Sequence, residues 1–160
     1  MLKDYQVNGC LCAPGLAIGG GSKYTFKYGN TFRVIANGLI SDDVTTADAP
    51  ALTAAVAADG TTPTTLAIDY ERAYTLLAAV NTSTGAVTFT LAVSEDFAEG
   101  HIWRPEDINW GNSDNNDSHK AVVGIIIIAN TTNVFTPGST ALDASGVSVR
   151  YFDNVVPLFA

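Results

Sequence analysis

The 160-residue chain suits a single domain, large enough to bury roughly 68–70% of the surface of its unfolded chain without disulfide or metal staples. Charged residues make up only 15% against 47% apolar, and sixteen acids outnumber eight bases for a formal net charge of −8. The eight bases are scattered from Lys3 to Arg150 and never form a run, which excludes nucleic acid and a charged membrane surface as expected partners.

In chain order, the opening MLKDYQVNGC carries an early acid and no apolar core, which predicts no signal peptide and synthesis in a cytosol. Residues 1–14 read as an extended arm or a free tail. Cys10 and Cys12 are two apart on a backbone expected to be extended, so both thiols would share a face with Cα atoms about 7 Å apart, too far for an unstrained disulfide. They read as two buried or idle thiols in a reducing compartment; an inter-chain disulfide or a two-ligand metal contribution are the alternatives. Gly19-Gly20-Gly21 precedes a strand, whereas a phosphate loop precedes a helix, so it reads as a turn.

Strands are expected at Tyr24 to Lys27, Phe32 to Ile40 and Leu66 to Asp69, where β-branched and aromatic residues recur between Gly, Asn, Asp and Pro. Between them Ala47 to Ala58 predicts one short helix or helical turn, with Asp48 as its cap and Pro50 in its first turn. Ala73 to Val93 predicts a β-hairpin turning at Thr82-Ser83-Thr84-Gly85, with Gly85 taking a positive φ. In its second arm Val87, Phe89, Leu91 and Val93 form an apolar face opposite Thr88, Thr90 and Ala92.

Glu95 to Ser118 holds both tryptophans and many acids and amides, and reads as a long functional connection. Lys120 to Asn130 contains the longest apolar run, about half of what a membrane-spanning helix needs. It predicts a strand buried on both faces, in the middle of the fold or against another subunit. Val147 to Phe152 predicts a last alternating strand. Many short strands, little helix and no strand-helix-strand rhythm predict an all-β, antiparallel sandwich or jelly-roll-like domain spanning residues 1–160.

Few residues invite a chemical role. His101 and His119 have no G-x-S-x-G serine motif beside them and read as solvated or hydrogen-bonded loop histidines. Glu95, Asp96, Glu99, Glu106 and Asp107 could supply a carboxylate pair across a sugar cleft lined by Trp103 and Trp110, although acids around a proline ordinarily cap and solvate a loop. Asn112, Asp114, Asn115 and Asp117 are rich in oxygen but lack EF-hand spacing, and read as Asx turns. No catalytic, cofactor-binding or metal-binding residue is therefore assigned. Phe97, Trp103, Trp110 and Phe135 are the candidate interface, for protein or glycan; the plainer reading is that they roof the domain's own core.

Toward the C-terminus the run Val122-Val123-Gly124-Ile125-Ile126-Ile127, then Ala129-Asn130, Phe135-Thr136-Pro137-Gly138-Ser139-Thr140-Ala141-Leu142-Asp143, Gly146-Val147 and a strand ending at Asp153 resembles virion structural proteins of tailed bacteriophages, of the head decoration (cement) or head fibre kind. Gly15-Leu16-Ala17-Ile18, Phe32 to Gly38 and the hairpin agree with it in outline. The resemblance implies a β-sandwich or jelly-roll subunit, commonly a homotrimer, made in the host cytoplasm. It would sit on the capsid surface of the virion against the major capsid protein, without enzymatic activity or cofactor. The Trp-containing connection and the C-x-C depart from that pattern. The alternatives are a phage fibre or receptor-binding domain recognising a host-surface glycan through Trp103 or Trp110, and a small carbohydrate-active enzyme.

Overall fold

The computed structural model describes residues 8–20, 22–36, 38–45, 49–111 and 120–155. Among these residues ten strands follow one another: β1 (Gly9–Cys10), β2 (Leu16–Ile18), β3 (Phe26–Tyr28), β4 (Val34–Ala36), β5 (Leu39–Ile40), β6 (Tyr70–Val80), β7 (Val87–Val93), β8 (Phe97–Ala98), β9 (Lys120–Asn130) and β10 (Val147–Asp153). The chain is nearly all β, and every pairing between these strands is antiparallel. A five-stranded sheet runs β10-β9-β6-β7, with β8 pairing the start of β6; β1-β4-β5 and β2-β3 form two small sheets. Among the described residues no helix is long and apolar enough to cross a membrane.

The two eleven-residue strands β6 and β9 form the middle of the large sheet, with Tyr74 opposite Ile126 and Arg72 opposite Ile128. This agrees with the expectation that Lys120 to Asn130 lies in the middle of the fold: apolar side chains on both faces leave it no edge position open to water. A register shift at Leu76/Leu77 pairs Leu76 with Gly124 and Leu77 with Val122, so Val123 is an extra residue that bends β9. Gly124 sits where a side chain would strike Leu16 Cδ1 at 2.4 Å and the Phe152 carbonyl oxygen at 2.5 Å, which accounts for a glycine inside an otherwise apolar run.

One face of this sheet carries Tyr74, Leu76, Ala78, Leu91, Val93, Ile126 and Ile128 into the core, where they meet Phe26, Phe32 and Val34 from the small sheets, together with Leu52, Leu66 and Phe135. Val87 and Phe89 pack against the same cluster, so the apolar face predicted for β7 is the one that turns inward. The hairpin between β6 and β7 closes as predicted. Asn81 Oδ1 accepts the Ser83 and Thr84 N–H groups at 2.8 and 3.0 Å, and Gly85, at φ +73°, donates its N–H to the Asn81 carbonyl at 2.9 Å.

Other expectations are corrected. Phe32 to Ile40 is not one strand: β4 and β5 pair with Ala36 opposite Leu39, a hairpin across the sequence Asn37-Gly38. Leu66 to Asp69 is not a strand either. Leu66 makes a single bridge to Phe135, and Asp69, at φ +64°, turns the chain left-handed before β6 begins. Within Ala47 to Ala58 the helical element is one 3-10 turn, Leu52–Ala54, stopped on both sides by extended Ala51 and Ala55; Asp48 lies outside the described residues. Cys10 and Cys12 do not share a face, because β1 ends at Cys10. Cys10 is buried with its Sγ 3.7 Å from the Val123 carbonyl, while Cys12 is exposed beside the Thr31 carbonyl.

Candidate functional site

The connection after β7 is built on charge pairs rooted in β6. Arg72 is only 2% exposed, and its guanidinium grips the Asp96 carboxylate through Nε at 2.6 Å and Nη2 at 3.0 Å. It also donates to the Thr65 carbonyl at 2.7 Å and the Tyr74 hydroxyl at 3.3 Å. Burial disfavours the charged guanidinium, but hydrogen bonding to Asp96 and the interactions with Tyr74 outweigh it, and Arg72 is held above its ordinary pKa. Just before it, Ser94 Oγ accepts the Ala73 N–H at 2.9 Å, so the chain leaves the sheet at a fixed point.

The strand β8 then returns to pair with Tyr70 and Glu71, and places Phe97 at the base of an aromatic cluster. Phe97 stacks on His101, with centroids 4.0 Å apart and planes 12° from parallel; Trp103 meets both rings edge-on at 5.1 Å. The Trp103 indole N–H donates to Glu71, a carboxylate only 2% exposed that Arg150 Nη2 also approaches at 3.5 Å. His101 Nε2 lies 2.8 Å from Asp107 Oδ2, which also accepts the Arg104 N–H at 2.9 Å. The bond to His101, aided by that N–H, holds the Asp107 carboxyl below the usual aspartate range despite opposing desolvation.

Glu71, Thr75 and Leu77 point away from the core cluster, toward the second face of the large sheet. Trp103 closes on Glu71, and Gly111 packs directly against Leu77, so the connection lies across that face. Phe97 and Trp103 are both partly buried, and they lie over the second face of the sheet and not over the core cluster. Trp110 differs: the residue is 48% exposed, and its indole N–H bonds to the Pro105 carbonyl at 2.9 Å. Phe135 is corrected as an interface residue: at 1% exposure it belongs to the core, where the bridge to Leu66 holds it.

Beside Trp110 an open groove of about 960 Å³ runs between the segment 57–63, the end of β7 and residues 106–111. Glu95, Asp96, Glu106, Asp107 and Asn109 line it. Glu99 does not; its backbone N–H is tied to the Asp69 carbonyl. Among the described residues no group of three or more His, Cys, Asp or Glu side chains is placed to hold a metal ion. His119 and the set Asn112, Asp114, Asn115 and Asp117 lie outside the described residues. Burial pushes the Cys10 thiol up to about 12, which leaves it protonated and unreactive at neutral pH.

Two features were missed in the sequence. Arg72 and Glu71 stand out in β6 as a charged pair entering an apolar run, a signal for buried pairing that was there to be read. The second is a set of exposed large apolar side chains at one end of the sheet, standing among exposed polar residues such as Asp69, Glu99 and Asn133. The Leu66–Phe135 bridge sets 67–70 beside 131–134, and the Glu99–Asp69 bond brings 99–102 to the same end. Ile68, Tyr70, Val134 and Ile102 stand there 44, 42, 49 and 80% exposed. No protein-family model, curated protein or solved structure matches this chain.

Proposed function

We propose that the protein is a non-enzymatic assembly subunit, a β-sandwich-like head decoration or cement protein that self-associates, commonly as a trimer, on the outside of a phage capsid. The observation that carries an assembly role is the exposure of four large apolar side chains, Ile68, Tyr70, Ile102 and Val134, on segments that meet at one end of the large sheet. Exposed large apolar side chains scattered singly are ordinary, but a group at one place marks a surface for another protein. The resemblance of Ala121 to Gly146 to tailed-phage head proteins supplies the kind of assembly. The antiparallel sheets and the sparse charge suit a subunit that lies flat against others.

Light scattering on the purified chain, with reductant present to remove any link through the exposed Cys12, tests self-association: a species of about three times 16.7 kDa is expected. Ile102→Asp should dissociate it while leaving the melting temperature of the subunit little changed. Co-sedimentation with undecorated phage heads then tests the capsid. A strict monomer that fails to co-sediment removes the decoration reading.

A further inference from the structure

We propose that the groove beside Trp110 is a binding site for a neutral oligosaccharide, separate from the assembly surface and independent of it. The groove has what a sugar needs on two sides. A pyranose ring has one apolar C–H face, which packs on an aromatic ring, and a rim of hydroxyls, which seek fixed acceptors.

Trp110 supplies the first: its indole N–H is spent on the Pro105 carbonyl, which holds the ring in place, and the residue as a whole is nearly half exposed beside the groove. The acceptors are fixed as well. Asp96 is clamped by the buried Arg72, Asp107 by His101 and the Arg104 N–H, and Asn109 by the Val93 carbonyl at 3.0 Å. Binding to such a site freezes few protein rotamers, which is the main cost of holding a weakly apolar ligand. Glu95 and Glu106 complete the wall.

Two other ligand classes fit less well. No three acids converge for a metal ion among the described residues. A cationic peptide would find Asp96 already paired with the Arg72 guanidinium, which reduces the charge the groove offers it.

The test is calorimetric titration of the intact chain with neutral tetrasaccharides built on glucose, mannose, galactose and N-acetylglucosamine, alongside hexalysine. At least one saccharide should bind saturably, with little dependence on salt. Trp110→Ala should weaken it about tenfold or more, the scale of one lost aromatic contact in a desolvated site. Glu106→Gln should also weaken it, and Glu99→Gln, outside the groove, should leave it unchanged. Near-ultraviolet dichroism and melting of each variant check that the fold is kept. The proposal is overturned if no saccharide binds at millimolar concentration, if binding survives both Trp110→Ala and Glu106→Gln, or if hexalysine alone binds. The oligomer mass and head co-sedimentation are read separately, so the assembly reading and this one fail independently.

Discussion

The two faces of the large sheet are covered by different means and to different extents: the core face is packed shut, whereas the second face is covered around β6 and leaves Thr88, Thr90 and Phe152 exposed. On the core face Tyr74, Leu76, Ile126 and Ile128 meet Phe26, Phe32 and Phe135, side chain against side chain, with each of these seven at most 2% exposed. On the second face, Glu71 and Thr75 are buried beside Ala73 and Leu77, and the cover is a connection whose described residues form one short strand and one 3-10 turn, tied down by Trp103, His101 and Asp107. The difference is between dispersed apolar packing, where many contacts share the stabilisation, and a few directed hydrogen bonds, where each partner is individually needed. The first face determines whether the chain folds. The second determines where the groove and Trp110 stand.

The largest effect expected from breaking this contrast is on the core face. Ile126→Ala leaves a cavity between β6 and β10 and should cost about 2–5 kcal/mol in urea unfolding. A loss below that range would mean that the core relaxes around the gap.

A smaller and more local effect is expected on the other face. Trp103→Phe keeps the ring but removes the N–H that reaches the buried Glu71, at a cost of about 1–3 kcal/mol. Hydrogen exchange should rise in residues 99–111 more than in β6 or β9. Equal acceleration throughout would show that the connection is part of the same cooperative unit as the core.

The mildest perturbation is acid. Asp107 titrates below the usual aspartate value of 3.8, so its contribution is fully present above that pH and is lost as pH falls through the lower folded value. Tryptophan fluorescence from the connection should therefore hold through pH 3.8 and change only below it. His101→Ala removes the first cause of the shift and should move that midpoint upward, toward the ordinary aspartate value. An unmoved midpoint would assign the transition to another carboxyl.

Much of the fold was legible where the pattern is local. Lys120 to Asn130 and the Ala73 to Val93 hairpin were readable because β-branched runs, alternation and a turn glycine depend on neighbours within a few residues. Asn37-Gly38 was an equally local hairpin signal inside Phe32 to Ile40, outweighed there by the apolar residues on either side. The site was less legible. Trp103 and Trp110 share one connection and the same chemistry, yet one is a roof and the other a half-exposed platform.

Phe135 looked like Phe97 in sequence but sits in the core because its backbone pairs with Leu66, a partner 69 positions away. The sequence by itself determined the class of architecture, the central strands and the absence of basic runs, since these follow from composition and short-range periodicity. Only the tertiary structure decided which charges are buried, which aromatic ring stays open, and how Cys10 and Cys12 part company. Each of those depends on which distant segment lies across a given face, and no local pattern carries that information.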